Sequence, residues 1–231
     1  MASDSSDKEQ ILEGKIKITN AILEDVEALV ALHYKCFPKM EHIAMRFGKP
    51  FMMSTYKWFI SSPKTFVVIA RQGDKLVGFQ SVSEESYNFP MLRASWREAM
   101  TGLILHPWLA FHPELLGRLL HLLFRQHKET PGDRAAELAF IGVDPEVWGK
   151  GIGKALVIAG IQACRERGIN TLTTGVRRQN FRSLAMLKSA GLMEVPELGN
   201  RRFVYLRIDL DSDASYRYKP SEKVHEPGDR F

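Results

Sequence analysis

One stretch constrains this chain more than any other: Phe140-Ile141-Gly142-Val143-Asp144-Pro145-Glu146-Val147-Trp148-Gly149-Lys150-Gly151-Ile152-Gly153-Lys154-Ala155-Leu156. An apolar strand runs into a turn, and Gly149, Gly151 and Gly153 open a helix. Glycine tolerates positive φ and lets a ligand come close to the backbone. The free N–H groups at a helix start, together with the helix dipole, attract phosphate oxygens. Lys150 and Lys154 add positive charge. The segment reads as a pyrophosphate cradle, with a ligand-free glycine turn as the alternative. Spacing excludes two nucleotide motifs. Gly149 and Gly153 are too close for a P-loop, and Ala155 follows Lys154 where that loop has Ser or Thr. The pattern G-x-G-x-G also differs from the dinucleotide fingerprint G-x-G-x-x-G.

The rest of the chain supplies strands and helices in alternation. Ile16 and Ile18 alternate with polar residues over 15–20, as in a strand. Val26, Leu29, Val30, His33 and Phe37 recur at helical spacing, with acidic Glu24 and Asp25 ahead of them and Pro38 as the stop. A second apolar helix is expected over 51–60. Two β-branched strands, 65–71 and 75–83, flank a Gly73-Asp74 turn. Helical runs over 91–105 and 113–127 follow, divided by Pro107 and Pro113, and Pro131-Gly132-Asp133 marks the exit. Then come a strand over 137–143, a helix over 151–167 closed by Gly168, a strand over 170–176, a helix over 181–190 before Gly191, and a strand over 203–210. The predicted fold class is α/β: a central mixed sheet with helices on its faces and a helical insertion, about 87–131, between two strands. One domain over 15–211 is expected, after a disordered lead (1–14) and before a polar tail (212–231).

Composition narrows the function classes. The 231 residues are 45% apolar and 26% charged, which excludes a wholly disordered chain, a collagen and a coiled-coil rod. Two cysteines, Cys36 and Cys164, exclude a disulfide scaffold and a four-cysteine zinc site, and suit buried thiols in a reducing compartment. His33, His42, His106, His112, His121 and His127 lack metal-ligand spacing with acidic partners, so no metal is expected. The net charge of +5 suits an anionic ligand, but acidic residues are interspersed and no nucleic-acid stripe stands out. Residues 1–9 lack the apolar core of a signal peptide, and the apolar stretch 101–113 is too short to span a membrane. A soluble cytoplasmic protein is expected.

Around the glycine turn the sequence resembles the GNAT superfamily of acyl-CoA-dependent N-acetyltransferases. Val143-Asp144-Pro145 and Gly151-Ile152-Gly153 match that family's strand, Val-x-Pro turn and Arg/Gln-x-x-Gly-x-Gly/Ala helix start. Trp148 stands at the Arg/Gln position. Asn180, the helix after it and Gly191-Leu192 fill the slot of the family's Asn and its helix ending in Gly-Phe. The resemblance covers 137–192 best, and 15–86 and 193–210 more loosely. It implies acetyl-CoA as co-substrate. The backbone of Ile141, Gly142 and Val143 would pair with pantetheine like an added strand. The N–H groups of Gly149, Lys150, Gly151, Ile152, Gly153 and Lys154 would hold the pyrophosphate. Asn180 would bond the pantetheine arm, with Ser183 near it, although a helix N-cap is an equally ordinary role for that asparagine.

Transfer of acetyl to an amine needs a base, an oxyanion donor and a fate for the thiolate. Some family members carry a catalytic Glu six residues before the valine, and Glu137 has that spacing. Strand alternation would put Glu137, Ala139, Ile141 and Val143 on one face, and a solvated glutamate is the alternative. The backbone N–H near Ile141 is the expected oxyanion donor. The family's Tyr acid falls at Leu187, with Tyr87 and Tyr205 as possible substitutes. The expected function is a GNAT N-acetyltransferase that acetylates a primary amine of a small molecule, an amino sugar among the candidates, by direct attack. Two alternatives stay open: a non-catalytic acyl-CoA-binding sensor or scaffold, and an acetyltransferase acting on a protein N-terminus or lysine. The aromatic insertion would wall the acceptor pocket or serve as added core or a homodimer face.

Overall fold

The computed structural model describes residues 10–12, 16–37, 43–84, 87–111 and 134–210. In chain order the elements are β1 (Gln10–Leu12), β2 (Ile16–Asn20), α1 (Val26–Cys36), α2 (Ile43–Arg46), α3 (Lys49–Ser61), β3 (Thr65–Gln72), β4 (Lys75–Ser83), α4 (Asn88–Ala94) and α5 (Trp96–Leu105). They continue with β5 (Ala135–Val143), α6 (Ile152–Glu166), β6 (Thr171–Arg177), α7 (Phe181–Ser189), β7 (Met193–Glu194) and β8 (Phe203–Asp209). The strands form one mixed sheet in the order β1-β2-β3-β4-β5-β6-β8-β7. Pairing is antiparallel between neighbours except at β5 and β6, which run parallel and are joined by the α6 crossover.

Two cores lie on opposite faces of this sheet, because alternate residues of a strand point opposite ways. In β3, Phe66, Val68 and Ala70 join an aliphatic core under α6 and α7 with Leu138, Leu156, Leu172 and Leu206. Val67 and Ile69 join an aromatic core under α1 and α3 with Tyr56, Phe59, Phe79 and Phe140. α3 buries Phe51, Met52, Thr55, Tyr56 and Phe59, a helical stripe that faces the sheet. The insertion adds Met91, Ala99 and Leu109 to the same aromatic core.

Two expectations change in detail. Gln10–Leu12, placed by sequence in a disordered lead, pairs with β2 as an edge strand. The helix expected over 91–105 is two helices, because Ser95 leaves the helical region at φ −112° and ψ 22°. Met193–Glu194 is a two-residue strand, both residues exposed, paired antiparallel with β8. The helix expected over 113–127 and the tail over 212–231 lie outside the described residues.

Candidate active site

The site begins with an irregularity in β5. Val82 pairs with Leu138 and Ser81 with Phe140, so Ala139 is an extra residue, a β-bulge. Its consequence corrects the face expected from simple alternation. Leu138 points into the aliphatic core, while Ala139 and Phe140 both lie on the aromatic face. Ile141 and Val143 then return to the aliphatic face. Glu137, paired with Ser83 and half-buried, therefore shares the α1–α3 face with Ala139 and not with Ile141 and Val143.

β5 and β6 part company at the same place. Their register runs Ala135–Thr171, Ala136–Leu172, Glu137–Thr173 and stops. Thr174 Oγ1 still donates to Leu138 O at 3.0 Å. Beyond it, β5 has β4 on one side and, among the described residues, no strand on the other. A segment offering unpaired backbone groups along a cleft is suited to an extended amide-bearing ligand.

At the end of β5 the chain is clamped before it reaches the glycines. Asp144 N donates to Val77 O at 2.8 Å, and the buried Asp144 carboxylate accepts from Glu146 N at 3.0 Å. Lys35 of α1 lies 2.8 Å from Asp144 and 2.7 Å from Glu146, and Lys75 of β4 lies 3.3 Å and 2.9 Å from the same two. Burial alone would raise the Asp144 carboxyl, but bonds from Lys35, the Glu146 N–H and Lys75 outweigh it and hold its pKa below the usual value. The bonds from Lys35 and Lys75 lower Glu146 as well, and both lysines are raised in return, chiefly by their hydrogen bonds to the two carboxylates.

Gly149 (φ 83°) and Gly151 (φ 75°) then take left-handed backbone that side chains rarely adopt. Gly151 is the N-cap of α6, and the first helical bond is donated by Ala155 N to Gly151 O at 3.0 Å. The N–H groups of Ile152, Gly153 and Lys154 precede that bond, which leaves them for a ligand. Gly142 has a different cause: a Cβ there would lie 2.7 Å from Phe79 and 3.1 Å from Cys36 Cβ.

Between this turn and α7 lies a cleft of about 1080 Å³. It gathers most of the residues expected at the cofactor: Ile141, Gly142, Val143, Gly149, Gly151, Ile152, Gly153, Lys154, Asn180 and Ser183 all line it. Lys150 does not, and points to solvent. Glu137 is also outside the lining, below the point where the strands separate. Asn180 caps α7, its Oδ1 accepting from Ser183 N at 3.1 Å, so its amide N–H₂ is the part left for a ligand. Leu187, at the position of the family's Tyr, is wholly buried in the aliphatic core.

The cleft also holds residues that spacing did not reveal. Cys36 and Phe37, from the end of α1, line its wall beside Gly142. Burial pushes the Cys36 thiol up to about 12, so it stays protonated and is a poor nucleophile. Trp148 donates its indole N–H to Val143 O at 2.8 Å, and Arg182 of α7 lays its guanidinium on that indole, 4.1 Å from the ring centroid. Nothing in a linear pattern pairs a residue of this turn with one on α7. Behind Phe140, the buried His33 Nδ1 lies 2.7 Å from Tyr56 Oη inside a box of Phe37, Phe79 and Phe140 rings.

The sequence profile of the Acetyltransferase (GNAT) family matches residues 26–192, more than two thirds of the chain. The chain belongs to the GNAT acetyltransferase family. The fold agrees with solved GNAT structures. The GNAT domain of S. lividans PAT aligns at TM-score 0.57 with 16% identity, covering 87% of this chain and 96% of that one. The N-acetyltransferase paia of Thermoplasma acidophilum, solved with coenzyme A, aligns at 0.55 with 14% identity, covering 84% and 99%. In sequence, a mycothiol acetyltransferase of Amycolatopsis mediterranei is 35% identical over 69 residues, 28% of this chain and 23% of that protein. Another, of Propionibacterium freudenreichii, is 34% identical over 79 residues, 34% of this chain and 25% of that protein. The matched part thus spans about a quarter of those relatives. Among the described residues, no helix is long and apolar enough to cross a membrane, and no group of acidic, histidine or cysteine side chains is arranged to hold a metal.

Proposed function

We propose that this GNAT N-acetyltransferase moves acetyl from acetyl-CoA to a primary amine of a small molecule. The observation that carries the reading is the Ala139 bulge at the mouth of the β5–β6 split. It turns Glu137 toward one face and Ile141 and Val143 toward the other, so base and co-substrate address the same strand from opposite sides. Pantetheine lies along Ile141 to Val143, and its pyrophosphate sits on the N–H groups from Gly149 to Lys154. Asn180 offers its amide from the facing wall, with Ser183 behind it. Glu137, directly or through one water, takes the proton of the attacking ammonium. The freed nitrogen forms the C–N bond, and the C–S bond breaks. The backbone N–H near Ile141 faces the carbonyl oxygen as negative charge develops there. With Leu187 buried, Tyr87 is the better placed acid for the thiolate. Its ring centroid lies 6.0 Å from that of Phe140, next to the bulge, whereas Tyr205 packs over Gly175 on the far side of β6. The insertion walls the acceptor side, since Met91, Ala99 and Leu109 cover the face that Glu137 shares.

The test is release of free CoA thiol from acetyl-CoA with amino sugars, other small amines and short peptides as acceptors. Turnover with a small amine, lost in Glu137→Gln while acetyl-CoA still binds, is the expected result. Turnover with peptides alone would replace the small-molecule reading. Acetyl-CoA binding without turnover of any acceptor would favour a sensor.

A further inference from the structure

We propose that Arg182 is a side-chain cation of the co-substrate site, and that Trp148 is where it rests until a phosphate of the ADP moiety arrives. The inference depends on the cleft being the acyl-CoA site. Trp148 occupies the position where the family's motif has Arg or Gln, so this chain lacks the motif's own side chain at the turn. Its indole is held in place: the N–H is committed to Val143 O at 2.8 Å, at the end of the strand that leads into the cradle. The guanidinium of Arg182 lies on the ring from the opposite wall, 4.1 Å from its centroid, and both residues line the cleft.

Three features say that the contact is a resting place. Arg182 is in the first turn of α7, where the positive end of the helix dipole disfavours a cation, and that turn contains no acidic residue. Arg182 makes no ion pair with a carboxylate among the described residues, in contrast to Lys35, Lys75, Arg134 and Arg167. An exposed cation–π contact is weaker than a charge-assisted bond to phosphate. Exchange of the indole face for a phosphate oxygen is therefore downhill, and it needs only rotation about the flexible Arg182 side chain. Lys154, at the start of α6 on the other wall, likewise makes no ion pair among the described residues, so two cations from two walls face a ligand with more than one phosphate.

The experiment is calorimetric titration of acetyl-CoA and of its 3′-dephospho form into the wild-type protein, Arg182→Gln and Trp148→Phe, with tryptophan emission recorded in parallel. Arg182→Gln should weaken acetyl-CoA by about tenfold, the size of one charge-assisted contact. Binding should change the emission of the wild type and leave that of Trp148→Phe nearly unchanged, since release of the guanidinium alters only this indole. If the tenfold loss disappears with the dephospho ligand, the partner is the ribose 3′-phosphate. If it persists, the partner is the pyrophosphate. Equal affinities for wild type and Arg182→Gln, with both folded by circular dichroism, would overturn the proposal and leave the cleft reading intact. Absence of acetyl-CoA binding by the wild type would overturn both.

Discussion

The two faces of the sheet are built from different materials. Under α6 and α7 the core is mostly aliphatic, with Leu138, Leu156, Leu172, Leu187 and Leu206 at its centre, and the buried Gln80 carboxamide against Gly160 is a polar group on that side with no hydrogen-bond partner among the described residues. Under α1, α3 and the insertion it is aromatic, and it encloses polar groups: the His33–Tyr56 pair and the hydroxyls of Thr55, Ser81 and Ser95, none of them exposed. Thr55, Ser81 and Ser95 have no hydrogen-bond partner among the described residues. On the aliphatic side the proposed co-substrate would be met by N–H groups whose placement glycines secure. A face with buried hydroxyls and a half-buried glutamate leaves polar groups to be satisfied. In the proposed reading the first face carries the co-substrate and the second meets the acceptor.

This contrast can be broken from either side. The largest effect is expected from Glu137→Gln, which removes the proposed base from the face of α1 and α3. Turnover should fall about a thousandfold, with acetyl-CoA affinity kept, as steady-state kinetics beside calorimetry would show. Next is deletion of Ala139. Without the bulge, Leu138 and Phe140 become neighbours opposite Val82 and Ser81, in regular register and with their present faces. The protein should fold, while turnover drops about a hundredfold because the kinked N–H no longer faces the developing oxyanion. A deletion variant as active as wild type would remove the bulge from the mechanism. Gly151→Asp strikes the other face. It combines positive φ with a negative charge at the phosphate, and should weaken acetyl-CoA at least about tenfold in a titration.

The smallest effect concerns the clamp that joins the two faces. Asp144→Asn should lower stability by about 1 kcal/mol in urea unfolding, since both lysine partners reach solvent. The pH dependence follows from the signs. Asp144 and Glu146 have lowered pKa values, so their contribution is present above the unfolded carboxylate range and is lost as pH falls through the lowered values. Lys35 and Lys75 are raised, so theirs is present below the unfolded lysine range and is lost as pH rises through the raised values. Unfolding midpoints of Asp144→Asn should vary less with pH at the acid end than those of the wild type. Parallel acid limbs would show that the clamp adds nothing.

Much of the co-substrate side was legible before the structure, because backbone recognition leaves a linear signature. Gly149 and Gly151 are required by positive φ, Asn180 by a cap, and each sits beside the elements it serves. The acceptor side was less so. Glu137 could be named from its distance to Val143, but its face could not, because strand alternation assumes a regular ladder and Ala139 carries no mark of a bulge. Gly142 reads as a place for ligand approach, yet its cause is the packing of Phe79 and Cys36, residues from two other elements. The clamp of Lys35 and Lys75 on Asp144 and Glu146, and the Arg182–Trp148 stack, were invisible for the same reason.

By itself, then, the sequence determined the local conformations: strands from alternation, helices from stripes and caps, and a tight turn from glycines that only a few backbone geometries demand. Tertiary structure decided which residues meet. The split of β5 from β6, the bulge that sends Glu137 and Val143 to opposite faces, and the cation resting on Trp148 all depend on contacts between segments far apart in the chain. Local preferences act over a few residues, whereas these contacts are fixed by how whole elements pack.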